Sequence, residues 1–248
     1  MILKDYHVHT LFSDGKYPAE DMVLAAIEKG MTEIGFSDHS YTSFEADYCM
    51  TPEKEAEYRK TILALREKYK DKISIKLGIE QDYESDYPAE GYDYIIGSVH
   101  FLKLGDEMVA VDDGPEKYPY MVEKYFQGDY YALVEKFFET EADVVNRTGA
   151  DIIGHFDLIS IYNQEEHFFD ENHPRYVAAW KKAVDQLLQT GAVFEVNFGA
   201  YNRGRRNVPY PNPDIQEYII QKGGKLIPDS DAHVTRFLCS DFTKFKYE

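Results

Sequence analysis

The sequence predicts an α/β protein whose parallel strands form a sheet or barrel. Three observations carry this. Short strand-like runs alternate with helix-like ones along the whole chain. Nearly every residue suited to binding a metal comes directly after a strand-like run. No linker, repeat or low-complexity tract divides the 248 residues, so a single domain over 1–248 is expected, long enough to bury a substantial core.

In chain order, 2–8 reads as the first strand. Residues 18–29 read as a helix, with Pro18 in the first turn, Met22, Val23, Ala26 and Ile27 on one face and Gly30 as the stop. Residues 34–36 make a short second strand. Thr51 can cap a helix that begins at Pro52, and Tyr58, Ile62, Leu65 and Tyr69 follow the spacing of one helical stripe. The third strand, 73–79, ends at Glu80, and the fourth, 94–99, ends at His100. Residues 101–127, rich in Gly, Pro, Asp and Tyr, read as a long loop or insertion of a kind that is often functional. A helix over 130–146 precedes a short strand, 151–154, that leads to His155. A helix over 174–189 is closed by Gly191. A strand at 192–197, a helix at 214–221 and a last strand at 225–228 then run into Asp229-Ser230-Asp231-Ala232-His233. That makes about seven strands, most of them followed by a helix.

Acids outnumber bases 45 to 27, a net charge of −18, which repels the phosphate backbone of nucleic acids and anionic lipid surfaces. Bound divalent cations would offset part of that charge locally, so a small phosphorylated substrate stays compatible. The longest apolar runs are far shorter than the roughly 18–20 residues needed to span a bilayer. The N-terminus lacks a basic stretch followed by an apolar one, so no signal peptide is expected. Two cysteines, Cys49 and Cys239, do not make a disulfide framework, and a reduced, cytoplasmic protein is expected.

Alternation along a strand puts His7 and His9 on one side, about 6.5–7 Å apart, where two imidazoles can grip one metal. Asp231 and His233 repeat the spacing near the other end of the chain. Between them lie Asp14, Asp38-His39, Glu80, His100 and His155. A lone histidine at a strand end is ordinarily a hydrogen-bonded core or surface residue; the conjunction is what points to a metal site. In an α/β barrel all strand ends open on one face, so residues distant in sequence converge there. Mixed imidazole and carboxylate donors suit Zn, Fe or Mn. Such metals acidify water and clamp the attacking and leaving oxygens of a displacement at phosphorus, the chemistry of a metal-dependent hydrolase. Arg203, Arg205 and Arg206, after the sixth strand, can bind phosphate oxygens with their guanidinium forks. Tyr41, Phe101 and Tyr201 lie close enough in sequence to these residues to line a pocket for a flat group. His167 and His173 read as plain surface residues.

Taken together, H-V-H-T-L-F-S-D-G at 7–15, S-D-H at 37–39, G-I-E at 78–80, S-V-H at 98–100, G-H-F-D at 154–157 and S-D-A-H at 230–233 resemble the PHP (polymerase and histidinol phosphatase) superfamily, from residue 1 to about 233. The resemblance implies a distorted (β/α)7 barrel with three divalent metal ions. His7, His9, Glu80 and Asp231 would hold the first. Glu80 would bridge to a second, held by His100 and His155, and Asp14, His39 and His233 would hold the third. Glu80, Asp231 and His233 are then the residues closest to the chemistry, with His233, Asp38 or Asp157 as orienters or proton donors. The implied activity is a phosphomonoesterase of the histidinol-phosphatase type, releasing L-histidinol and phosphate from L-histidinol phosphate in histidine biosynthesis. The alternative within the superfamily is a phosphoesterase acting on other small phosphates or nucleotides. PHP domains attached to DNA polymerases offer a third reading, a non-catalytic or nucleic-acid-associated module, which the intact ligand set and acidic charge oppose. A metal-dependent amidohydrolase also uses H-x-H on a barrel, but S-D-H and G-I-E point away from it. Only 15 residues follow His233, where relatives continue with a helix and a strand. The last cover of the barrel is therefore expected to be missing, shortened or supplied by a second subunit of a homo-oligomer.

Overall fold

The computed structural model describes residues 3–45 and 47–242; Ile2 and the final 244–248 of the sequence reading lie outside them. In chain order the elements begin with β1 (Lys4–Asp5), α1 (Ala19–Glu28), β2 (Glu33–Phe36), α2 (Pro52–Tyr69), β3 (Ser74–Asp82) and β4 (Tyr94–Ser98). A hairpin of β5 (Phe101–Leu104) and β6 (Glu107–Ala110) follows, then α3 (Lys117–Tyr125), α4 (Tyr130–Glu141), α5 (Val144–Thr148) and β7 (Ile152–Ile153). The chain continues through α6 (Asn163–Glu166), α7 (Pro174–Leu187), β8 (Val193–Asn197), α8 (Gly199–Asn202), α9 (Pro213–Gln221) and β9 (Leu226–Asp229). Seven strands pair in the order β1-β2-β3-β4-β7-β8-β9, every pair parallel.

The sheet bends round until its two edges meet, nearly closing a barrel. Past β1 and β9, Val8 pairs in parallel with Ala232, and His9 N donates to Ala232 O while Ala232 N donates to His7 O, both at 3.0 Å. Below that bridge, side chains complete the seam. Asp229 Oδ1 accepts from Tyr6 N at 2.5 Å, and the two oxygens of Asp5 accept from Ser230 N and Cys239 N at 3.0 Å each. The segment after His233 packs against this seam as far as residue 242. Leu238 and Phe242 are buried, and Lys29 Nζ donates to the carbonyls of Arg236 and Leu238 at 2.8 and 2.9 Å.

The helices form where capping chemistry and apolar stripes agree. Thr51 Oγ1 accepts from Lys54 N at 3.3 Å, acids occupy the first turn of α2 and bases its last, and Tyr58, Ile62, Leu65 and Tyr69 are all buried. Each such side chain contributes roughly 1.5–3 kcal/mol of burial. Asp129 caps α4 by accepting from Tyr131 N and Ala132 N at 2.9 and 3.2 Å. His173, read as a plain surface residue, caps α7: Nδ1 accepts from Arg175 N at 3.2 Å and the ring stacks on Tyr131 with centroids 3.9 Å apart. His167 is exposed.

Three sequence expectations are corrected. Residues 101–127 are not one long loop. Leu104 faces Glu107 across a two-residue Gly105-Asp106 turn, with Gly105 at φ +61°, so alternating residues on β5 and β6 form a hairpin before α3. The helix expected over 130–146 breaks after Glu141, because Asp143 N donates to Thr140 O in a tightened turn and α5 swings Val144 into full burial. Strand β3 also runs past Glu80, since Gln81 and Asp82 pair with Gly97 and Ser98. Among the described residues, no helix is long and apolar enough to cross a membrane.

Candidate metal centre

The site forms where the C-terminal strand ends open on one face. The chain beyond β1 carries His7 and His9, two residues apart and both fully buried. Asp38 fixes the loop that follows by accepting from Thr10 N at 2.8 Å, Ser13 N at 3.1 Å, Thr10 Oγ1 at 2.9 Å and Ser13 Oγ at 2.6 Å. That loop delivers Asp14. His39 forms a bridge with Glu80 that prolongs the β2–β3 ladder. Asp82, two residues on from Glu80 and so on the same side of β3, accepts from His100 N at 3.1 Å. His155 follows β7, and its N donates to Glu195 Oε2 at 2.8 Å. Asp231 and His233 follow β9. Asp231 has φ +49°, a left-handed backbone costing about 1–3 kcal/mol, and the Ala232 bridge to His7 and His9 holds it there. Gly199 leaves room for it, since a Cβ at that position would sit 2.3 Å from Asp231 Oδ2.

All nine expected ligands converge. Glu80 is the centre: Oε2 lies 3.1 Å from His7 Nε2, 3.5 Å from His9 Nε2 and 3.0 Å from His39 Nδ1. Its other oxygen, Oε1, lies 3.4 Å from His100 Nε2 and 3.0 Å from His155 Nε2, and accepts from Ser98 Oγ at 2.7 Å. His9 Nε2 is 3.3 Å from Asp231 Oδ1. Asp14 lies 3.6 Å from His9, 3.8 Å from His39 and 2.8 Å from His233. Donor atoms lie within 4.8 Å of one another in three overlapping groups: His7, His9 and Glu80; His39, Glu80 and His100; His9, Asp14, His39 and His233. His9 and His39 thus each border two groups, a sharing that the linear motifs do not reveal.

The donor set fits divalent ions. His7 Nε2, both ring nitrogens of His9 and Glu80 Oε2 are buried without a hydrogen-bond partner, although His7 Nε2 and Glu80 Oε2 are only 3.1 Å apart. Atoms that close but misaligned for hydrogen bonding face a common point rather than each other. Leaving buried polar atoms unsatisfied ordinarily costs about 1–3 kcal/mol each, which a cation at that point would recover. The charges agree. Burial pushes the Glu80 carboxyl up, but the surrounding His7, His39 and His100 outweigh it and hold Glu80 well below the usual carboxylate range. Asp231 is held low against burial by Arg203 and His7, and Asp14 by His233 and His39. Burial and the neighbouring His233 and His39 push His9 down to about 3, so it is a neutral donor.

Residues supporting the donors were missed by the sequence reading. His7 Nδ1 lies 2.5 Å from Glu195 Oε1, and His100 Nδ1 lies 3.2 Å from Asp82 Oδ2. Carboxylates placed so fix imidazole tautomer and orientation. Among the described residues, the carboxylates of Asp38 and Asp157, expected as orienters or proton donors, make no hydrogen bond or ion pair with the nine: only the main-chain carbonyl of Asp38 accepts from Glu80 N, at 3.3 Å, while Asp157 accepts from Asn212 N at 3.0 Å and Ser160 Oγ at 3.3 Å and lies 3.6 Å from Arg206.

The cluster forms the floor of a cavity of about 780 Å³. Arg203 and Arg205 line it, and Arg203 reaches Asp231 Oδ2 and His233 Nδ1 at 3.4 Å each. Arg206 does not. Its guanidinium is buried beneath the loop, donating to Ser160 Oγ and to Asn212 Oδ1 at 2.8 Å and lying over the Tyr210 ring. Lys16 and Arg236 join the cavity wall instead. Of the expected aromatics only Phe101 lines it, accompanied by Tyr48 and Tyr210 in place of Tyr41 and Tyr201.

Comparison with known proteins agrees with this geometry. The family model described as the PHP domain matches residues 5–198. The histidinol-phosphatase of Lactococcus lactis subsp. lactis strain IL1403 is 31% identical over 253 aligned residues, covering 94% of this chain and 84% of that one. A crystal structure from Listeria monocytogenes superposes with a TM-score of 0.82 at 17% identity, covering 98% of this chain and all of the other. The crystal structure of histidinol phosphate phosphatase from Lactococcus lactis Il1403, complexed with zinc, L-histidinol and phosphate, superposes with a TM-score of 0.71 at 24% identity, covering 94% of this chain and 87% of that one. With the family match spanning residues 5–198 and taking in every donor from His7 to His155, this protein belongs to the PHP domain family.

Proposed function

We propose that this protein is a metal-dependent phosphomonoesterase that hydrolyses L-histidinol phosphate to L-histidinol and phosphate, in the cytoplasm, where neither Cys49 nor Cys239 needs a disulfide partner. The observation that carries the reading is the cluster of six imidazoles and three carboxylates on the floor of an arginine-lined cavity, with buried donor atoms left without hydrogen bonds. The relatives named histidinol-phosphatase supply the substrate.

Three divalent ions fit the reading. His7, His9, Glu80 and Asp231 would hold one, Glu80, His100 and His155 a second, and Asp14, His39 and His233 a third, with His9 and His39 near enough to serve a neighbour. When bound, such ions supply an acidified water for attack on phosphorus and neutralise the phosphate oxygens. The chain's own residues do the rest. Glu80 keeps the donor groups in register because both its oxygens face imidazoles. Glu195 and Asp82 hold His7 and His100 in the orientation that aims Nε2 at the centre. Arg203 and Arg205 bind the phosphate oxygens and fix the ester against the floor, which turns a bimolecular encounter into an oriented one. Tyr48, Phe101 and Tyr210 cover the walls and keep bulk water from the reacting centre.

The test is phosphate release from L-histidinol phosphate beside sugar phosphates and nucleotides, with Mn, Zn and Fe each resupplied to chelator-stripped protein. Selective turnover of L-histidinol phosphate is expected. Turnover confined to the other esters would overturn the substrate, and silence from protein that has taken up metal would overturn phosphatase chemistry.

A further inference from the structure

The cavity wall is divided by charge, and the division follows strand order. Loops after β8 and β9 contribute Arg203, Arg205 and Arg236. The loop after β2 and the hairpin segment after β4 contribute Tyr48, Phe101 and Asp112. In a barrel ordered β1-β2-β3-β4-β7-β8-β9, the β2–β4 and β8–β9 groups stand on opposite sides of the mouth.

Glu45 and Asp112 are both half-buried acids of that wall, and the one whose charge acts on the donor His100 is Asp112. Its main chain is pinned, since Tyr162 Oη donates to its carbonyl. Its carboxylate is half-buried in the cavity wall and makes no hydrogen bond or ion pair among the described residues. The adjacent Asp113 is different, pairing with Lys117 at 3.1 Å. Asp112 stands close enough to His100 and Tyr48 for its charge to act on both. A bare carboxylate beside a phosphate site repels a plain phosphate ester. It is favourable only if the substrate carries a cation within reach of the phosphate, and the same repulsion then rejects esters lacking one. Next to it, Tyr48 and Phe101 stack with ring centroids 6.2 Å apart, an aromatic surface for a flat group beyond the cation.

We propose that Asp112 is a specificity-determining residue that accepts the substrate's ammonium group, selecting phosphate esters with an amine close to the ester oxygen. This rests on the phosphomonoesterase reading and deepens it: the phosphate lies on the floor towards Arg203 and Arg205, the ammonium meets Asp112, and the remaining ring lies along Tyr48 and Phe101.

The experiment measures kcat/KM of wild type, Asp112→Asn and Asp112→Glu on three esters: L-histidinol phosphate, O-phosphoethanolamine and 4-nitrophenyl phosphate, which has no cation. Losing one partner of a desolvated charge pair lowers selectivity by about 30-fold or more. The preference of wild type for ammonium esters over 4-nitrophenyl phosphate is therefore expected to fall by that factor in Asp112→Asn, chiefly through KM, and to recover in part in Asp112→Glu. A parallel loss on all three esters would overturn the proposal, as would a wild type with no preference for ammonium esters. Discrimination in favour of O-phosphoethanolamine without turnover of L-histidinol phosphate would uphold the role of Asp112 while removing histidinol phosphate as substrate.

Discussion

Replacing Glu80 by Gln is the most direct perturbation of the centre. Gln keeps the volume of the side chain but exchanges one oxygen for an amide NH2 and removes the charge. Glu80 Oε2 faces three imidazoles at 3.0–3.5 Å and Oε1 faces two more at 3.0 and 3.4 Å, so whichever way the amide lies, an N–H is directed at ring nitrogens that should face a cation. Loss of one well-placed group at a reacting centre costs about 2.7–4 kcal/mol, a fall of roughly 10²–10³ in kcat. The fold should survive, because metal-free protein loses a buried charge rather than a packed side chain. The assay pairs kcat on L-histidinol phosphate with metal content per chain and with circular dichroism of the stripped protein. Expected are a kcat at least 100-fold lower, fewer ions retained and an unchanged spectrum. A variant that keeps full metal content and more than about a tenth of the wild-type rate would refute the bridging position of Glu80.

The other predictions separate binding from folding. Arg203→Ala should lower kcat/KM by about 10–150-fold, the worth of a hydrogen bond to a charged group, and leave the melting temperature within about 2 °C; an unchanged kcat/KM would remove Arg203 from the phosphate site. Arg206→Ala strands the buried Asp157 charge, costing about 3–5 kcal/mol, so its melting temperature should drop by roughly 6–20 °C; a drop under about 2 °C would contradict the buried pair. Glu195→Gln should weaken metal affinity by about 10–100-fold in a chelator competition, and equal affinity would show that His7 is oriented by something else. Chelation should both abolish turnover and lower the melting temperature, since an ion at 100 times its dissociation constant contributes about 2.7 kcal/mol; identical melting curves with and without metal would speak against a preformed site.

Much of the barrel is legible in the sequence because the donors punctuate it. His100 and His155 follow apolar runs, and such positions gather on one barrel face. What escaped was set by pairing rather than by local pattern. The run F-L-K-L-G-D-E-M-V-A contains a two-residue glycine turn between alternating segments, a hairpin signal, but the Gly, Pro, Asp and Tyr around it make the stretch resemble a loop. Glu195 is a charged residue inside an apolar strand, which hints at burial, yet its partner His7 is 188 positions away and only the β8 register brings them together. Arg205 and Arg206 are neighbours in sequence; one lines the cavity and the other points into the protein, and nothing in R-G-R-R distinguishes them. Arg236 and Lys16 enter the wall through loops whose course depends on the closed seam.

That seam also governs when the centre can exist. His7 and His9 follow β1, whereas Asp231 and His233 follow β9, with the Val8–Ala232 bridge joining positions more than two hundred residues apart. Closing so long a loop carries an entropic penalty that local structure cannot offset, which favours late assembly. His7 and His9 can thus meet Asp14 and Glu80 early, but His9 meets Asp231 only once that seam has closed. Fragments lacking β9 and the segment after it should accordingly chelate more weakly than the full chain, however well their helices form.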